Sequence, residues 1–142
     1  MELVKGDFDS AIADCNQAIE LKPNFADAYG NRGGAKEGKG DLNGAIADCD
    51  QAIRLQPNSV TPYINRSIAK RKQGDWKGAI ADSDKAIHLR PGLANSFLNR
   101  GLARQLKGDL NGARNDFKKA LQLKPGFALA QKALDELDKK TE

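Results

Sequence analysis

The sequence predicts an all-α protein, an α-solenoid of stacked antiparallel helical hairpins closed at its C-terminal end by one capping helix. Three observations predict it. Pro23, Pro57, Pro91 and Pro125 stand 34 residues apart, and so do the Gly-Asp pairs beginning at Gly6, Gly40, Gly74 and Gly108. The same interval links Ala11, Ala45, Ala79 and Ala113, then Ala18, Ala52, Ala86 and Ala120, then Leu21, Leu55, Leu89 and Leu123. Between these landmarks, apolar residues recur at the spacing of one helical face. A fixed period of this length marks supersecondary units that bury their apolar faces against their neighbours.

The elements follow in order. Glycine accepts the left-handed conformation just past a helix end, and the Asp after it caps the next helix. From Asp41 to Pro57, Leu42, Ala45, Ile46, Cys49, Ala52 and Ile53 share one face. Proline then disfavours helix in the residue before it and ends the segment. Another helix runs from about Ala26 to Lys39, with counterparts 34 and 68 residues on. The whole chain, 1–142, is therefore one array: a half repeat, second helix only, at 1–25; repeats at 26–59, 60–93 and 94–126; and a capping helix at 127–142. Ala130, Leu134 and Leu137 form the apolar face of that cap, while Lys132, Asp135, Glu136, Lys139 and Lys140 face water.

At the front, Phe8, Ile12, Cys15 and Ile19 lack a partner helix. This points to a truncated array or to a homodimer joined through that face, with Met1 to Val4 folding back over it as the alternative. Asp14 shares the register of Asp48, Asp82 and Asp116, and its Arg would precede Met1.

Composition agrees with a thin seam rather than a thick core. Hydrophobic residues make up 39% of the chain but aromatics only 6%. A mean hydropathy of −0.62 predicts a soluble chain, and no apolar run approaches the roughly 20 residues of a membrane helix. Net charge is +4 from 23 basic and 19 acidic residues. The signs are interspersed, which reads as a solvated surface. Nucleic-acid binding through Lys36, Lys70 and Arg104 is the weaker alternative and would show strong salt dependence.

The motif residues resemble the tetratricopeptide repeat family across essentially the whole chain. Its pattern W-x2-L-G-x2-Y, then A-x3-F, A and P, is met by Tyr29, Tyr63 and Phe97, by Gly33, Ser67 and Gly101, and by the periodic alanines and prolines. Arg32, Arg66 and Arg100 replace the Leu. Lys36, Lys70 and Arg104 replace the second aromatic, and Cys15, Cys49 and Ser83 stand where Phe117 keeps the Phe. The resemblance implies a right-handed superhelix whose concave side is lined by the first helix of each hairpin, and a role in holding protein or peptide partners.

On that helix Asn31, Asn65 and Asn99 recur. A carboxamide both donates and accepts, matching a peptide unit. Hairpins stacked about 10 Å apart place one Asn for every three residues of an extended chain at ~3.3 Å each. The column is similar to the asparagine ladder inside the superhelix of O-linked N-acetylglucosamine transferase. Ile64, Ile68, Leu98, Leu102 and Leu106 lie one turn away and would set specificity. In the first hairpin the matching places are Gly30, Gly34 and Gly38, predicting a soft helix and an open, backbone-accessible groove there. Arg32, Arg66 and Arg100 point towards the partner helix, where Asp48, Asp82 and Asp116 stand sixteen residues on, predicting one ion pair per hairpin. The Lys/Arg clamp by which chaperone-binding members hold a C-terminal carboxylate is not matched at Gly30, Gly34, Asn95 and Asn99.

Several patterns imitate chemistry. Gly33-Gly34-Ala35-Lys36-Glu37-Gly38-Lys39-Gly40 nearly spells a phosphate-binding loop but lacks the Ser or Thr and the preceding strand. Cys15 and Cys49 occupy one register of successive helices, beyond disulfide reach, and read as free buried thiols. His88 is the only histidine, which with two thiols makes no zinc site. No cofactor, metal or catalytic constellation is expected.

Overall fold

The structure, a computed structural model, describes residues 5–140. These form eight helices and no strand: α1 Lys5–Leu21, α2 Ala26–Lys39, α3 Leu42–Leu55, α4 Val60–Lys72, α5 Trp76–Leu89, α6 Ala94–Lys107, α7 Leu110–Leu123 and α8 Ala128–Lys140. The punctuation acts as its chemistry requires. Gly40, Gly74 and Gly108 take φ of 91°, 87° and 94°, where a Cβ would be strained. The carboxylates of Asp41, Asp75 and Asp109 accept the backbone N–H groups of Gly44, Gly78 and Gly112 at 2.9–3.0 Å, satisfying orphan donors of α3, α5 and α7. Four helices stop two residues before a periodic proline.

Helices consecutive in the chain pack on one another throughout. In addition α2 touches α4, α4 touches α6 and α6 touches α8, whereas α1, α3, α5 and α7 make no such contact among the described residues. Helices that touch lie on the shorter arc, so α2, α4, α6 and α8 line the concave side. Between the two layers runs a seam of small side chains: Ala45, Cys49, Ala52, Ala79, Ser83 and Ala86 are all at most 1% exposed. Towards the C-terminus the seam thickens around Phe117, Phe127, Ala130 and Leu137. There α8 buries Ala130 and Leu137, half-buries Leu134 and leaves its charged face exposed.

An arginine column ties the layers together. Arg66 forks onto Asp82 at 2.7 and 2.8 Å and sends its other Nη to Asp50 at 2.8 Å. Arg100 does the same with Asp116 and Asp84, and Arg32 with Asp48 and Asn16. Each guanidinium therefore spans its own hairpin partner and the preceding second helix. The predicted ion pairs are present, and the second arm was unforeseen. Each guanidinium also lies over Tyr29, Tyr63 or Phe97, 5.4–5.7 Å from the ring centroid, a cation–π contact. The carboxylate partners raise the pKa of all three arginines.

The α1 end differs. Phe8, Ile12, Cys15 and Ile19 are only half-buried. Cys49 is a buried free thiol as expected, but Cys15 is a half-buried one, because no described element covers its side of α1. The expectation that Met1 to Val4 folds back lies outside the described residues.

Candidate binding groove

The predicted site residues all sit on α2, α4 and α6, but they are not equivalent. Asn31 is exposed and lines a shallow recess of about 260 Å³ with Gly30, Ala52 and Pro62. Asn65 is half-buried and donates its amide to the Gly30 carbonyl on the preceding hairpin at 3.2 Å. Asn99 is buried, with its edge on the groove. One carboxamide is thus free, one is engaged in holding α4 to α2, and one is largely enclosed.

The apolar residues divide as well. Ile64 packs against Val60, Tyr63 and Ala86 in the central core. Leu98 is 6% exposed and belongs mainly to the C-terminal core. Ile68, Leu98, Asn99 and Leu102 nevertheless form the wall of a groove of about 370 Å³ between α4, α6 and α8. Leu102 and Leu106 continue into an adjoining recess with Arg71, Lys72, Gln105 and Lys140. Leu106 is 54% exposed and Leu129, on the α8 side, 62%.

Sequence reasoning missed Leu129, Lys132, Ala133 and Glu136 on the far wall. They continue the registers of Asn95, Leu98, Asn99 and Leu102 into α8, a signal present in the sequence but not followed into the cap. It also missed Arg71, which lines both recesses. The Nε of Arg71 is buried without a hydrogen-bond partner; burial lowers the pKa of this guanidinium and Glu37 pulls it back up. Neighbouring Lys72 pairs with Glu37.

The first hairpin corrects an expectation. A Cβ at Gly34 would come within 2.9 Å of the Asn65 amide nitrogen, and one at Gly38 would strike the Phe8 ring. The space above these glycines is filled by the protein's own side chains, so the groove there is not open to a ligand backbone. Only Gly30 has ordinary room. The cations of the nucleic-acid alternative are also accounted for. Lys36, Lys70 and Arg104 reach Asp48, Asp82 and Asp116 at 3.0, 3.4 and 2.9 Å, so each is tied to a carboxylate within its own hairpin.

Comparison with known proteins agrees with this geometry. The TPR repeat model matches residues 2–40, and the Tetratricopeptide repeat model matches 26–59 and 94–127. The chain belongs to the tetratricopeptide repeat family. Its fold superposes on the crystal structure of MamA with a TM-score of 0.82 at 25% identity, covering 96% of this chain and 80% of that one. The TPR domain of Arabidopsis OM64 is 28% identical over 80% of this chain and 94% of its own, with a TM-score of 0.76. The second TPR domain of human RPAP3, in complex with the HSP70 peptide SGPTIEEVD, is 29% identical over 78% of this chain and 92% of its own, with a TM-score of 0.73. A sequence search of curated proteins finds no match. No helix among the described residues is long and apolar enough to cross a membrane.

Proposed function

We propose that this TPR protein is a non-catalytic interaction scaffold that captures an extended segment of a partner protein in its concave groove. An apolar ligand side chain seats between α4, α6 and α8, and a ligand carboxylate meets Arg71. The observation that carries this reading is the joining of groove-lining apolar side chains, half-buried Leu102 and exposed Leu106 and Leu129, to a half-buried arginine whose Nε has no partner. A buried donor left unsatisfied costs free energy that an anionic ligand would recover. The acidic peptide held by the RPAP3 domain supports this ligand chemistry. Asn31 and Asn99 supply backbone contacts, whereas Asn65 acts chiefly by holding α4 in place.

The test is a peptide-library pulldown with the full chain and three variants. Leu102→Asp should abolish capture with helicity unchanged. Arg71→Gln should remove the preference for acidic peptides. Asn31→Ala, Asn65→Ala and Asn99→Ala combined should weaken capture. Unchanged capture by the triple variant removes the carboxamides from the mechanism, and unchanged capture by Leu102→Asp removes the groove.

A further inference from the structure

The second helices α3 and α5 each carry two acceptors, two residues apart, that serve different first helices. On α3, Asp48 takes Arg32 of α2 and Asp50 takes Arg66 of α4. On α5, Asp82 takes Arg66 of α4 and Asp84 takes Arg100 of α6. On α1, Asn16 takes Arg32 of α2, so Asp14 holds the register that faces a first helix on the opposite side. Asp14 is exposed and has no ion pair among the described residues. The seam tells the same story. Ala11, Cys15 and Ala18 are half-buried, whereas their counterparts Ala45, Cys49 and Ala52 are at most 1% exposed.

We propose that this face of α1 binds one amphipathic helix of a partner polypeptide. That helix carries an aromatic residue and, three positions on, an arginine that forks onto Asp14. The shape, the small-residue seam and the charge of the site are those that accept α2, α4 and α6 elsewhere in the molecule, and those helices bear Tyr29 with Arg32, Tyr63 with Arg66 and Phe97 with Arg100. A second copy of this chain is a poor occupant. Arg32, Arg66 and Arg100, the arginines at the matching register of α2, α4 and α6, are all engaged, and α8 has Gln131 and Leu134 at the two registers. Head-to-tail stacking would leave Asp14 without a guanidinium. This site is separate from the concave groove and does not depend on its function.

Cys15 lies in the seam and reports occupancy, with fully buried Cys49 as the unreactive control. The probe is a peptide of the α6 sequence, Ala94–Lys107, which supplies Phe97 and Arg100. It should protect Cys15 from alkylation saturably. Arg100→Ala in the peptide, or Asp14→Asn in the chain, should weaken that protection about tenfold or more, as expected for losing charge-assisted bonds. Because an isolated helix this short is marginal in water, the same segment is also tethered ahead of Met1 by a flexible linker, which raises its effective concentration to about millimolar. The proposal is overturned by an absence of protection in both formats, or by equal protection from the Arg100→Ala peptide. It is also overturned if the chain alone sediments as a dimer in which Cys15 is already protected, which would make a second copy the occupant.

Discussion

Comparing Arg66→Met with Asp50→Asn separates the two arms of one guanidinium. Its fork on Asp82, at 2.7 and 2.8 Å, meets a side chain that is 6% exposed. Its third bond goes to Asp50, whose side chain is 46% exposed. Removing one partner of a buried ion pair typically costs about 3–5 kcal/mol, because the orphaned charge stays buried. Lys70, at 3.4 Å from Asp82, takes over part of the load, which places Arg66→Met near the lower end, at roughly 3 kcal/mol. The Tyr63 cation–π contact adds about 0.5–1 kcal/mol to that loss. Asp50→Asn removes the charge from a solvent-screened contact while leaving an acceptor oxygen, and should cost under ~1 kcal/mol. The double change Arg66→Met with Asp82→Leu should be less destabilising than Arg66→Met alone, since the uncompensated carboxylate is then gone. Urea unfolding followed by far-UV circular dichroism at one salt concentration measures all three. A cost below about 1 kcal/mol for Arg66→Met, or equal costs for Arg66→Met and Asp50→Asn, would refute the assignment of the column as the tie between layers.

Gly30→Ala should stabilise by about 0.8–1.0 kcal/mol through helix propensity, since its Cβ would meet Ala52 and Pro62 at a comfortable 3.9 Å. Gly34→Ala should lose that gain, because Asn65 must give way and release the Gly30 carbonyl; comparing midpoints of chemical unfolding ranks the two. Burial holds the Cys49 thiol up at about 12, above its ordinary 9.0. From pH 9 to 12 the unfolded chain releases a proton that the folded chain keeps, so stability falls as pH rises, by up to about 1.4 kcal/mol per pH unit from this group. Cys49→Ala should flatten that part of the stability–pH curve, and an unchanged slope would exclude the thiol as its source.

What was legible in the sequence followed local rules. Gly40-Asp41 and its repeats set helix ends through φ preference and side-chain capping, and both act within four residues. The Arg32–Asp48 pair was legible because the hairpin fixes its geometry at a sixteen-residue spacing. The Asp50 arm of Arg66 was not, since it depends on the rotation between successive hairpins. The fillers of the glycine gaps were equally hidden: Phe8 and Asn65 come from thirty residues before Gly38 and thirty-one after Gly34. Gly44, Gly78 and Gly112 recur on the same grid and went unread, although they donate to the caps. The far wall of the groove was legible in principle, by carrying the register of Leu98 and Leu102 on to Lys132 and Glu136.

The repeats also act as an internal control on what the fold demands. Facing the second helices, the three hairpins are nearly interchangeable: an aromatic ring, then Arg, then a small residue, then Lys or Arg. Facing the groove, the same registers hold Gly30, Ile64, Leu98 and Lys132, then Gly34, Ile68, Leu102 and Glu136, then Gly38, Lys72, Leu106 and Lys140. One backbone geometry carries glycine, branched aliphatics and charges at equivalent places: packing dictates Gly34 and Gly38, whose Cβ would meet Asn65 and Phe8, and leaves Ile68, Leu102 and Glu136 lining the groove. In the first two registers these places run from small through apolar to charged along the axis, and in the third Lys72 precedes Leu106 and Lys140. A ligand lying in the groove therefore meets a different surface in each direction and has one preferred polarity. On the function proposed above, its bulky apolar residue belongs over α4 and α6 and its charged flank over α8, while the first hairpin, where Asn65 and Phe8 occupy the glycine gaps, offers it only Asn31 and the recess beside Gly30.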